Sequence, residues 1–87
     1  MKLGVYAVLD KAGGFFLQPF FIENNTLALR MIRECVRDEE HQFSKFYEDM
    51  GLYRIGTYDT LSGEIESDIS LLCQLRALVK PEDSNNE

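Results

Sequence analysis

Three sets of side chains in this 87-residue chain have types and spacings that could do chemistry. Cys35 stands six residues before His41, the only histidine, and a His-based nucleophile would need Cys35 or a serine carried to it by the fold. Cys35, however, falls on the apolar stripe of a helical pattern, where a thiol behaves as a small hydrophobe. Asp38, Glu39, Glu40 and His41 offer oxygen and nitrogen ligands for a cation, but a charge run directly after a helix reads as a solvated turn. Glu48 and Asp49 are adjacent carboxylates of the kind whose pKa values can be split for acid-base work. Neighbours in sequence point in different directions, so this pair suits capping a turn or bonding backbone amides. Cys35 and Cys73 lie 38 residues apart and share one histidine, a poor zinc set. Gly13-Gly14 fits neither a P-loop nor a dinucleotide fingerprint. These residues point to no enzyme, no metal and no cofactor.

The basic residues make a better case. Arg30, Arg33 and Arg37 recur at i, i+3 and i+7, so on a helix their guanidinium groups line one outer stripe. Each can contact a phosphate, bidentately where geometry allows. Lys45 can extend that track. Arg54 lies in a strand beside Tyr53 and Tyr58, and a base stacked on such a ring contributes roughly 1–3 kcal/mol. The competing reading has Arg30 and Arg37 solubilising the helix and pairing with Glu34 or Asp38, while the tyrosines fill the sheet.

These side chains must be positioned by a short list of elements. LGVYAVLD (3–10) is β-rich and apolar, as a central strand would be, and KAGG (11–14) follows as a turn. FFLQPFFI (15–22) is apolar at nearly every position, and Pro19 restricts it to an edge or breaks it there. Asn24, Asn25 and Thr26 offer N-caps for LALRMIRECVRD, in which Ala28, Met31, Ile32, Cys35 and Val36 form one buried face. Residues 38–51 read as a loop with a helical turn. LYRIGTYD (52–59) reads as a strand with Leu52, Arg54, Gly56 and Tyr58 on one face and Tyr53, Ile55 and Thr57 on the other. DTLSG (59–63) closes a hairpin through Asp59 and Gly63, and EIES starts the return strand. ISLLCQLRALVK (69–80) has every odd position apolar and reads as a strand. Two hairpins bracketing one helix give an α+β domain over residues 1–80, its one main helix packed on a mainly antiparallel sheet. PEDSNNE (81–87) reads as an acidic, disordered tail.

Length and charge bound the function. Eighty-seven residues bury roughly 60–65% of their unfolded surface, enough for one core. The formal net charge is −6, which repels phosphate backbones and anionic membranes on average and leaves room only for a local basic patch. No signal-peptide hydrophobic region fits the start, no apolar run approaches the roughly 20 residues of a membrane span, and two thiols in apolar patterns suit a reduced intracellular compartment.

Phe43, Glu48-Asp49, Leu52-Tyr53, Gly56, Tyr58-Asp59 and Gly63 together resemble the small nonstructural protein of gokushoviruses, single-stranded DNA bacteriophages of the Microviridae. MKLGVYAVLDKAGGFFLQPFFIENNTLALR is similar to that family's opening strand, its Pro-Phe-Phe segment and the Ala-Leu-Arg at its helix, so the resemblance covers roughly residues 1–65. The chain departs at Tyr47 and Met50, where the family commonly has proline and tyrosine. The resemblance implies a non-enzymatic accessory protein of genome replication in the host cytoplasm, described as binding DNA or promoting single-stranded genome synthesis. The expected nucleic-acid residues are Arg30, Arg33, Arg37, Lys45, Tyr53, Arg54 and Tyr58, with single-stranded DNA as partner. The alternative is a homodimeric interaction module without nucleic acid, in which Phe16, Phe20 and Phe21 of the aromatic strand meet a second copy or another phage or host replication protein.

Overall fold

The computed structural model describes residues 1–80, and the expected disordered tail at 81–87 lies outside the described residues. The spine of the fold is β1 (Lys2–Asp10), in which Gly4 to Val8 are all buried. A strand apolar on both faces must be covered on both. Here one face lies under a helix and the other under a layer of aromatic rings, and both edges are paired. β2 (Phe15–Phe16) and β3 (Phe20–Ile22) share one edge of β1, antiparallel to it. The break between them falls at 17–19, where Pro19 offers no amide to the ladder. β4 (Met50–Asp59) lies along the other edge of β1, from Lys2 opposite Asp59 to Asp10 opposite Met50. β5 (Ile65–Gln74) pairs antiparallel with β4 and forms the far edge.

The β4–β5 turn behaves as its residues dictate. Asp59 Oδ1 accepts the amides of Leu61 at 2.9 Å and Ser62 at 3.4 Å, and Gly63 takes φ +80°. The Leu61 amide in particular holds the Asp59 carboxyl below its usual range.

One face of the sheet is covered by α1 (Asn25–Arg37), whose N-cap Asn24 accepts the Leu27 amide at 2.9 Å. Ala28, Ile32 and Val36 at i, i+4, i+8 are its buried residues. The buried stripe is narrower than the expected face: Cys35 is half-buried at the margin of the core and Met31 is 37% exposed. Residues 38–51 hold α2 (Gln42–Phe46) and a 3-10 turn (Tyr47–Asp49). The His41 imidazole caps α2 by accepting the Phe43 amide at its Nδ1, 3.0 Å away. The core comprises Tyr6, Val8, Ala28, Ile32, Val36, Phe43, Met50, Leu52 and Leu75. The domain is α+β with a mainly antiparallel sheet, as expected.

Two expectations are corrected. The strand over 69–80 ends at Gln74, and Leu75–Leu78 form a 3-10 turn. The register of β5 shifts between Leu71 and Cys73, which turns Cys73 to the side of core residue Leu52, and Leu75 follows it into the core with no exposure. The simple alternation in β4 also fails, because Tyr6 faces Arg54 while its neighbour Val5 faces Gly56, leaving Ile55 as a bulge. Beyond that bulge the faces exchange.

Candidate functional site

The bulge at Ile55 sorts the candidate residues onto two sides of the sheet. Directly opposed residues in an antiparallel pair share a face. Leu9 opposes Phe16, Val5 opposes Phe21, Ala7 opposes Tyr53 and Leu3 opposes Tyr58. All four β1 residues are odd-numbered, so Phe16, Phe21, Tyr53 and Tyr58 stand together on the face away from α1. The rings confirm it: Phe16–Tyr53 and Phe21–Tyr58 each form an edge-to-face pair with centroids 5.4 Å apart. Beneath them Val5 and Ala7 are buried although no described helix covers that side.

Phe20 is not on that face. It opposes Tyr6 on the helix side, stacked with it at 5.6 Å, and packs against the core.

Arg54 also turns toward the helix. Its Nη1 donates to Asn25 Oδ1 at 2.8 Å and to the Tyr6 hydroxyl at 3.3 Å. Its Nη2 donates to Thr57 Oγ1 at 3.3 Å, and its guanidinium carbon lies 5.6 Å from the Tyr6 ring centre. The Tyr6 hydroxyl itself donates to Asn25 Oδ1 at 2.7 Å. Burial pushes the Tyr6 phenol above its ordinary pKa, with Arg54 partly offsetting the effect. This cluster ties the first residue of α1 to two strands, so the Arg54 guanidinium is committed to the fold and does not stand beside Tyr53 and Tyr58.

The helix arginines stay on the outer side. Arg30 and Arg33 are exposed, across the helix from Ala28, Ile32 and Val36. Arg37 is exposed but anchored, since its Nε donates to the Leu78 carbonyl at 3.0 Å and so clamps the 3-10 turn to α1. Lys45 is exposed on α2, which packs against α1. The structure therefore keeps Arg30, Arg33, Arg37 and Lys45 in the helical layer and Tyr53 and Tyr58 on the opposite side of the sheet. One ligand cannot use both sets at one point.

The catalytic candidates are equally dispersed. Burial pushes up the Cys35 thiol, with Asp38 and Glu34 adding to the shift, and burial alone raises Cys73. Such thiols carry little thiolate near neutral pH. Both cysteines are free and half-buried. Glu48 and Asp49 are exposed in the 3-10 turn, and the Asp49 backbone carbonyl, accepting the Lys11 amide at 2.8 Å, ties that turn to the sheet. An open cleft of about 290 Å³ between the β1–β2 turn and α2 is lined by Asp10, Gln42, Phe46 and Asp49 among others. Asp10 Oδ1 is already taken by the Gly13 amide at 3.0 Å. Among the described residues, no group of three or more His, Cys, Asp or Glu could hold a metal ion, and no helix is long and apolar enough to cross a membrane.

Residues 3–78 match the family described as Phage ORF5 protein. The chain belongs to that family. It is thus a phage protein, and the matched stretch runs from β1 through the 3-10 turn that buries Leu75, which is nearly all of the described fold. No curated protein and no solved structure matches the chain. Sequence reasoning missed the outward face as a unit. The signal that could have found it was the apolar series Ile65, Ile69 and Leu71, which adds to the four rings.

Proposed function

We propose that this member of the Phage ORF5 family is a non-enzymatic accessory factor that binds single-stranded DNA during genome replication in the host cytoplasm. The contact surface is the outer stripe of α1, and the resemblance to gokushovirus nonstructural proteins supports the same role. The observation that carries the reading is the exposure of Arg30 and Arg33 on the solvent side of α1. Two guanidinium groups one turn apart on a rigid element present donors to successive phosphates without ordering a loop. Arg37 at the end of α1, oriented by the Leu78 carbonyl, and Lys45 on α2 extend the track.

The test is fluorescence anisotropy of a labelled single-stranded oligonucleotide at about 50 and 200 mM salt, the range over which phosphate-driven binding collapses. Wild-type protein is expected to saturate the oligonucleotide and to weaken as salt rises. Arg30→Ala/Arg33→Ala is expected to bind more weakly, with a salt slope reduced by about 0.7 for each phosphate that is no longer neutralised. Binding unchanged in that variant, or absent at both salt concentrations, overturns the reading.

A further inference from the structure

We infer that the sheet face turned away from α1 is closed by a second copy of this chain, packed sheet against sheet. The face carries Phe16, Phe21, Tyr53, Tyr58, Ile69 and Leu71, with Ile65 at its hairpin end. Tyr53 opposes Leu71 and Tyr58 opposes Ile65 across β4 and β5. Ile69 shares the side of Leu71 by the two-residue alternation of a strand. None of these positions is ionisable at neutral pH, yet Ile69 remains 60% exposed and Leu71 46%.

Charge selects the occupant. A single strand of nucleic acid stacked on these rings would need cations along its backbone, and the nearby Arg54 points through the sheet to Asn25. At the end away from the hairpin, Lys11 Nζ donates to Gln74 Oε1 at 2.7 Å, next to Tyr53 and Leu71, so an ammonium already held by an amide sits at the rim while the centre of the face is neutral. A second copy brings the same neutral, aromatic-rich surface, which is the composition of an interface core. For two chains of net charge −6, contact through these uncharged positions keeps carboxylates out of its centre. Lys2, Asp59, Glu64 and Glu66 line a cleft at the sheet's hairpin end. Thr57 in that cleft opposes Gly4, so it opens on the helix side. The seven residues after Lys80, Pro-Glu-Asp-Ser-Asn-Asn-Glu, have no large apolar side chain that could cover the face instead.

Size agrees. Four strand positions at about 4.8 Å and nine residues at about 3.3 Å give a face of roughly 19 by 30 Å. That is on the order of 600 Å² before side-chain relief is added, close to the roughly 800 Å² per partner of a standard stable interface. Two such twisted sheets stack with their inner surfaces about 10 Å apart. The contact is isologous, so the pair is closed. Both α1 helices, with Arg30 and Arg33, then lie on the outside.

Sedimentation equilibrium of the full chain from 1 to 100 µM tests this (a range of about 100-fold, bracketing ordinary dimer affinities). Wild-type protein is expected at twice the chain mass. Ile69→Lys, and independently Ile65→Lys, are expected to raise the dimer dissociation constant at least about 100-fold, since each would bury an unpaired ammonium group in an apolar contact. Far-UV circular dichroism should stay unchanged, because both residues are more than half exposed in the protomer. Leu61→Lys at the hairpin tip, 88% exposed and off the face, is expected to leave the dimer intact. A monomeric wild type overturns the proposal. So does a dimer that survives both face variants, which would place the contact on the β5 edge or elsewhere. Neither outcome depends on DNA, so the reading of the helix stripe stands or falls separately.

Discussion

Replacing Arg54 by methionine keeps the aliphatic stem and removes only the guanidinium, which distinguishes a structural arginine from a DNA-contacting one. The short bond to Asn25 is charge-assisted and contributes about 1.5–3 kcal/mol. The two 3.3 Å bonds to Tyr6 and Thr57 are long and add little beyond it. Cation–π attraction to Tyr6 adds roughly 0.5–1 kcal/mol at a partly exposed site. Solvent reaches this half-buried residue and screens part of the total, leaving a net loss of about 2 kcal/mol. With a urea m-value of about 1 kcal/mol/M for a chain this small, the midpoint should fall by about 2 M. That is a large share of the roughly 5–10 kcal/mol expected for such a domain. The assay is urea unfolding followed by circular dichroism, beside oligonucleotide binding below the transition. Stability should drop while the affinity of the folded protein holds. A midpoint moved by less than about 0.5 M, with weakened DNA binding, would refute the assignment and return Arg54 to the nucleic-acid surface.

Two further outcomes follow from the packing. Gly56→Ala should destabilise by about 1–3 kcal/mol or more, because the added methyl would meet the backbone carbonyl of Glu66 in the neighbouring strand and neither backbone can yield cheaply. Thermal unfolding by circular dichroism measures it, and an unchanged midpoint would mean that the β4–β5 register is wrong. Stability should also fall at alkaline pH. The Tyr6 phenol is raised in the folded state, so its contribution is fully present below the unfolded value of about 10 and is lost as pH climbs from there toward the folded one. Tyr6→Phe should flatten that decline in urea midpoints measured across the alkaline range, and an identical decline in the variant would contradict it.

Local periodicity carried most of the fold. β1, α1 with a cap among Asn24, Asn25 and Thr26, an edge or break at Pro19 and the Asp59–Gly63 turn each follow from residues within a few positions of one another, and each was readable. The bulge at Ile55 was not, because it is set by the register of β4 against β1 and β5. That one residue decides which face Tyr58 occupies, and so which residues share a surface. Arg54 illustrates the same limit. Its partners Asn25 and Tyr6 stand 29 and 48 residues away, so its neighbours in sequence, Tyr53 and Tyr58, gave a misleading company. The end of β5 was hidden because the odd-position apolar series continues to Val79, whereas a register shift between Leu71 and Cys73 exchanges its faces and the strand ends at Gln74.

The interruption at Pro19 has a consequence for how the protein behaves when crowded. A long, flat, uninterrupted sheet margin is a template for open-ended polymerisation. Here that margin is cut into strands of two and three residues, with a proline between them that cannot donate to an incoming chain. The aromatic segment thus lies on the interrupted margin of the sheet, while the ten-residue β5 forms the other.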